Sequence, residues 1–233
     1  NLLNMAFGAD NYKQYDKIKE YVSNNVYQTN SDTGLLKDDN VIIIMCESLE
    51  WYAINPVLTP NLYQLFNNGY SFDNYYSKSK TNYSEMDVIL GSVPTDNAFT
   101  NSWHNSSSSL LGNDLCFTLP NKFKDNGYES IKYFHDNTGD FYARNTTHTT
   151  FGFDDIVTLE DMDIANKADG LIGHSSSYTR DSDMFESCKE IMAPANKKFF
   201  SFVTTITSHG PYKESNKLNA EYETLNNGKL NEY

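Results

Sequence analysis

The sequence predicts an α/β fold, a mainly parallel central sheet with helices on both faces. Three observations predict the α/β class. Apolar runs of strand length alternate with segments of helical periodicity, the helical segments open on Pro or end near Gly, and residues able to do chemistry fall just after the runs. The 233-residue length is enough for one such domain with a sizeable core.

Residues 12–27 carry Tyr15, Ile18 and Val22 at helical spacing, and a polar stretch, Gln28–Asn40, follows. A surface helix and linker are therefore expected over residues 1–39, with the domain over 40–233. Val41–Met45 is a continuous apolar run, which predicts a strand buried on both faces. Next, Thr59 reads as an N-cap and Pro60 as the first helical residue; Leu62, Leu65 and Phe66 form an apolar stripe, and Gly69 stands at the C′ position. In the segment from Lys78 to Gly91, Ser84 with Asp87 marks a helix start and Met86, Ile89 and Leu90 its buried face. Asn97 to Gly112, rich in Ser and Asn, predicts an exposed loop. A second unit runs from a helix opened at Pro120 and closed at Gly127 to a strand over Ile131–Phe134. In a third, Met184, Phe185, Cys188, Ile191 and Met192 share one helical face, and the β-forming run Phe199–Ile206 follows.

A net charge of -13, with no cluster of Lys and Arg, argues against nucleic acid or an anionic membrane surface as the main ligand. No stretch reaches the ~20 apolar residues of a spanning helix. The opening NLLNMAF has neither the charged n-region nor the h-region of a signal peptide, and no initiating Met is present. The expectation is a soluble piece of something longer, or a mature product. Cys46, Cys116 and Cys188 lack metal-ligand spacing and sit in apolar contexts that suggest small core residues.

In open α/β sheets ligands bind beyond the carboxyl ends of the strands. Glu47 follows the first predicted strand, His135 and Asp136 the second, and Thr207, Ser208 and His209 the third. Singly, a Glu or His at a strand end reads as a hydrogen-bonded surface residue; three strands delivering such groups to one edge favour a site. Thr81 precedes a predicted helix N-terminus, where unpaired N–H groups and the helix dipole favour an anionic phosphate. Its hydroxyl becomes a nucleophile only when a metal or base lowers its pKa; otherwise Thr81 is a loop or capping residue. His104, His148 and His174 lie in polar, Ser- or Thr-rich contexts and read as surface histidines.

The run NVIIIMCES, with Glu47 and Ser48, resembles the strand and metal-binding Glu of lipoteichoic acid synthases, a branch of the sulfatase and alkaline phosphatase superfamily. Lys80-Thr81-Asn82-Tyr83-Ser84-Glu85 is similar to that family's Lys-Thr-x-x-Ser-Glu segment, whose Thr is the nucleophile. FHDNTGDFYARN, residues 134–145, resembles a stretch that holds a His, an aromatic residue and an Arg around the substrate phosphate, and the Thr207 to Tyr212 segment resembles a substrate-binding His segment. The resemblance implies Glu47 as metal ligand, Thr81 as ligand and nucleophile, and His135, Asn137, Tyr142, Arg144 and His209 around the phosphoryl group. It further implies a divalent Mn²⁺ or Mg²⁺, a glycerophospholipid head group as donor, a glycolipid or polymer as acceptor, and a place on the extracellular face of the membrane, with membrane contact through the longer parent only. A planar Arg fork suits two phosphate oxygens, whereas the residue alone reads as a solvated surface charge.

Two departures stand out. Synthases that polymerise glycerol phosphate carry Trp where this chain has Tyr142 and Asp where it has Asn137, so acceptor or head group is expected to differ. The family also completes its metal site with a downstream Asp-His pair, absent before Tyr233. The chain is therefore expected to be the N-terminal portion of a catalytic domain, one that alone binds metal weakly and leaves a sheet edge open. A phosphatase or sulfatase of the same superfamily is the nearest alternative, although no Cys/Ser-x-Pro-x-Arg motif surrounds Thr81. A non-catalytic binding domain retaining the fold is the other.

Overall fold

A computed structural model describes residues 20, 23–24, 28–77, 80–91, 115–162 and 180–209. The surface helix expected over residues 12–27 falls almost wholly outside them, and the Asn97–Gly112 loop, His104, His174 and residues 210–212 fall wholly outside them.

Four strands, β1 (Val41–Met45), β2 (Ser130–His135), β3 (Asp155–Val157) and β4 (Phe199–Thr204), form one sheet in the order β1-β4-β2-β3. Every pairing is parallel, with Ile43 opposite Phe202 and Tyr133 opposite Phe202 across the central strand. All carboxyl ends therefore lie along one edge. The helices are α1 (Pro60–Asn68), α2 (Thr81–Leu90), α3 (Leu119–Asp125), α4 (Arg144–Thr150) and α5 (Asp181–Met192).

β4, as FFSFVT, is buried at every residue because apolar layers cover both its faces. On one side Phe200 and Phe202 pack with Ile131, Tyr133, Phe151 and Phe153 and with Met86 and Ile89 of α2. Phe123 of α3 stacks on Phe200 with ring centroids 4.3 Å apart. On the other side Phe134 and Val203 meet Met184, Cys188 and Met192 of α5, whose spacing places them on one helical face. Gly91 (φ 63°) ends α2 and Gly127 (φ 79°) follows α3, both in the left-handed region that a Cβ disfavours.

Four expectations are corrected. β1 is not buried on both faces: it is the edge strand, and Ile42 and Ile44 stay 44% and 47% exposed, whereas Val41, Ile43 and Met45 pack against the core. The α1 stripe is likewise uncovered at Leu65 and Phe66, and Gly69 has extended backbone rather than a left-handed C′ geometry. Ile191 turns outward from α5, so the buried face is narrower than predicted. α2 begins at Thr81, three residues before the expected Ser84, which makes Thr81 the first helical residue. Of the cysteines, Cys188 is buried, whereas Cys46 and Cys116 are half-buried. β3, only three residues long, was too short to leave a periodic signal.

Candidate active site

The site grows from the carboxyl edge of the sheet. Glu47 leaves β1 two residues beyond its end, and its backbone N–H donates to the Thr205 hydroxyl at 2.8 Å, which docks the turn on the end of β4. Ser48, next in sequence, has φ 50°, an uncommon conformation for a residue with a Cβ. The turn so formed aims the Glu47 carboxylate at α2, where the Thr81 hydroxyl donates to Glu47 Oε2 at 3.0 Å. Two residues predicted from separate motifs, 34 positions apart, thus meet directly. Thr81 stands at the first turn of a ten-residue helix whose leading N–H groups lack intrahelical partners.

A carboxylate and a hydroxyl side by side are hard oxygen donors of the kind that suit Mg²⁺ or Mn²⁺. Glu47 and Thr81 therefore fit part of the coordination of such an ion. Among the described residues no group of three or more His, Cys, Asp or Glu completes it.

His135 ends β2, and its Nδ1–H donates to the Thr204 carbonyl at 2.8 Å. Because a carbonyl only accepts, the neutral ring carries its proton on Nδ1 and leaves Nε2 as an acceptor, with no hydrogen-bond partner among the described residues. Burial first, and then the charge of Arg144, lower the His135 pKa to about 3. Asn137 is buried beyond it, its carbonyl oxygen accepting from the Leu159 N–H at 3.1 Å and its side-chain oxygen from the Thr138 N–H at 2.7 Å. His209, exposed, lies past β4, its N–H donating to the Ile206 carbonyl at 2.9 Å.

Tyr142 (φ 59°) and Ala143 (φ 52°) are consecutive left-handed residues, each costing on the order of 1–3 kcal/mol, immediately before Arg144. That kink turns the Arg144 side chain inward beneath the Tyr142 ring, with its Cζ 5.3 Å from the centroid. Arg144 is only 1% exposed, so the solvated-charge reading is overturned. Its Nη2 and Nε donate to Glu85 Oε1 at 3.0 and 3.1 Å, and Nη1 donates to the Phe141 carbonyl at 3.2 Å. Burial alone would raise the Glu85 pKa, but the Arg144 charge leads the opposing effects and the carboxyl is held at about 2. A cavity of about 10 Å³ between Glu85, Tyr142, Arg144 and His148 leaves room for roughly one water.

His148 is not a surface histidine. One turn after Arg144 on α4, it lies 2% exposed with its ring centroid 4.0 Å from that of Tyr133, and burial lowers its pKa to about 4. The polar run Arg144–Thr150 concealed this, because Arg144, the inward charge beside it, is paired by Glu85 on another helix.

Two further residues, Glu85 and Asp181, were not singled out, and a third, Asp136, was placed at the strand edge without a role. Glu85 carried no role beyond its place in the motif, although its spacing with Ile89 puts it on the buried face of α2. Asp181 accepts from the Ile206 N–H at 2.7 Å and the Thr207 N–H at 3.2 Å, tying the start of α5 to the segment that carries His209. Asp136 is fully buried with neither oxygen hydrogen-bonded among the described residues; burial, and then the neighbouring Asp181, push its pKa up to about 10.

These shifts set the pH dependence of stability. Between about pH 4.5 and 6.5 the unfolded chain charges His135 and His148 while the fold keeps both neutral, so unfolding takes up two protons. Asp136 works oppositely: the fold retains a proton that the unfolded chain releases. The net uptake is one proton (two minus one), and stability should fall by about 1.4 kcal/mol per unit on acidification. Glu85, depressed in the fold, adds a further loss as pH falls from its ordinary value toward about 2. Above about pH 7 only the Asp136 effect remains of these four, and stability should fall again by a similar slope. Urea unfolding followed by circular dichroism from pH 4.5 to 9 should give a maximum near pH 6.5; a profile rising steadily to pH 9 would contradict the buried Asp136.

The family model described as sulfatase matches residues 39–233. The chain is 27% identical over 208 residues to a Bacillus subtilis protein named lipoteichoic acid synthase-like YvgJ, covering 83% of this chain and 31% of that protein. It is 26% identical over 227 residues to lipoteichoic acid synthase of Staphylococcus aureus strain USA300, covering 91% and 33%. It thus spans about a third of the length of these curated relatives. Among solved structures, the lipoteichoic acid synthase LtaP of Listeria monocytogenes superposes with a TM-score of 0.64 at 21% identity, covering 91% of this chain and 55% of that one. A Vibrio parahaemolyticus protein of the alkaline phosphatase superfamily gives 0.53 at 22% identity, covering 80% and 43%. With the parallel sheet, the matched span and these relatives in agreement, the chain belongs to the sulfatase family.

Proposed function

We propose that the protein carrying this chain transfers a phosphoglycerol-type group from a lipid head group to an acceptor hydroxyl in cell-envelope polymer synthesis, at the extracellular face of the membrane, with Thr81 as nucleophile. The observation that carries this reading is the 3.0 Å hydrogen bond from Thr81 to Glu47 at a helix N-terminus. The Thr81 oxygen would attack phosphorus and form a Thr–O–P bond; the lipid C–O–P link breaks at phosphorus, and diacylglycerol leaves as the alcohol after taking up a proton. An acceptor hydroxyl then attacks the phospho-threonine, transfers its proton, and releases Thr81.

A divalent ion held by Glu47 and Thr81, Mn²⁺ or Mg²⁺, would supply Lewis-acid activation of the hydroxyl. Glu47 orients that hydroxyl, and the start of α2, where Thr81 stands, supplies a helix dipole that favours the developing negative charge. Asn137, Tyr142, Arg144 and His209 shape the phosphoryl subsite in this reading. Tyr142 has an ionisation raised chiefly by burial and further by Glu85 and Glu47, so its phenol sits within electrostatic reach of Glu47.

The test is to incubate the whole product of the gene with phosphatidylglycerol and Mn²⁺, quench with acid, and sequence the Thr81 peptide by mass spectrometry. A glycerophosphoryl group on Thr81, with diacylglycerol released, is the expected result. Diacylglycerol without any adduct on that peptide would remove Thr81 as nucleophile, and free glycerol phosphate as the final product would make the protein a hydrolase.

A further inference from the structure

We infer that Glu85 is the positioning residue of this site: its buried carboxylate holds the Arg144 guanidinium and, through the first turns of α2, sets Thr81 in register with it. The inference rests on the reading of Thr81 and Arg144 as phosphoryl-handling groups.

Glu85 lies four residues after Thr81, so the two share one face of α2 at about 6 Å between Cβ atoms. It is only 1% exposed, and its donors come from three other elements. Oε1 accepts from the Tyr133 hydroxyl of β2 at 2.7 Å, from the Thr204 hydroxyl of β4 at 2.8 Å, and from Nη2 and Nε of Arg144 on α4. Oε2 accepts from Arg144 Nε at 3.3 Å. One carboxylate therefore pins the nucleophile helix to the carboxyl ends of the two central strands and to the guanidinium.

A contribution to stability is a poor explanation of this arrangement, since a buried ion pair is seldom more stabilising than apolar side chains of the same volume. Orientation explains it better. With Nε, one Nη2 proton and one Nη1 proton committed, two of the five guanidinium N–H groups have no partner among the described residues, and the Glu85 fork fixes the plane in which those two point. Because α2 is a rigid helix, the same bonds fix Thr81 relative to that plane. Misplacement of a catalytic group by about 1 Å can lower turnover on the order of a hundredfold, which is the effect a slack Glu85 would have.

The experiment uses the whole product of the gene and orthovanadate as the probe, a phosphoryl mimic, titrated calorimetrically in the presence of Mn²⁺. Glu85→Gln keeps the shape and removes the charge; Glu85→Asp keeps the charge, retracts it by one methylene, and serves if Glu85→Gln does not fold. Either variant is expected to raise Kd about tenfold or more at unchanged stoichiometry, as should Arg144→Gln, and combining Glu85→Asp with Arg144→Gln should add less than about threefold. A purely structural role would instead lower the stoichiometry and leave Kd alone. That outcome, fully multiplicative losses, or a wild type that does not bind vanadate would overturn the inference. Diacylglycerol release by wild type tests the transferase reading separately: vanadate binding that behaves as expected without such release would keep Glu85 in its role and discard phosphatidylglycerol as donor.

Discussion

Thr81→Ala is expected to lower diacylglycerol release from phosphatidylglycerol by about three orders of magnitude or more, as loss of a nucleophile does in enzymes that form covalent intermediates. The fold should survive. Thr81 is half-buried and its side chain makes one hydrogen bond, to a half-buried Glu47, so the stability lost is about 1 kcal/mol. Helix initiation does not depend on the hydroxyl either, because the N-cap position belongs to Lys80. The measurement pairs product release with thermal unfolding of the same preparation. A mutant that unfolds like wild type and still turns over within tenfold of it would refute the phospho-threonine route.

Phe200→Ala should give the largest loss of stability of any single truncation of the sheet, about 3–5 kcal/mol. The ring lies fully buried in the central strand, stacks on Phe123 at 4.3 Å and on Phe153 at 6.0 Å, and has neighbours in α3 and on the loop after α4 that cannot all close over the void. Truncating Ile42, on the uncovered face of the edge strand, should cost much less, since nearly half of that residue remains in solvent already. Equilibrium urea unfolding of both variants measures the contrast. Equal losses would mean that Ile42 is covered in the folded protein.

How far each feature was legible follows from the range of the interaction that creates it. The β1, β2 and β4 runs, the Pro-marked starts of α1 and α3 and the Gly after α3 were legible because strand pattern, Pro at a helix start and Gly after a helix end act within a few residues. The places of Glu47 and His135 were legible for a related reason: parallel strands deliver their carboxyl ends to one edge, whereas Thr81 was put forward by its place at a helix start and the family motif it matches. Exposure was not legible in the same way. The apolar run of β1 predicted burial on both faces, but burial depends on what lies opposite, and the strand's place at the edge is a property of the whole sheet order.

The amino-acid sequence by itself determined the α/β class and the parallel direction of the sheet, consequences of local pattern, and put Glu47 and Thr81 forward through their places beside predicted elements and the family motifs they match. Only the tertiary structure decided that Arg144 and His148 are buried, that Tyr142 and Ala143 take left-handed backbone to put them there, and that Glu85 receives their helix. A segment such as RNTTHTT reads as solvent-facing because charged and polar groups are costly to bury alone, and nothing within it names the partner that cancels the cost. That partner, Glu85, lies 59 residues away on another helix, and the low pKa of its carboxyl, the neutral state of His148 and the orientation of the Arg144 fork exist only once the strands between them have paired.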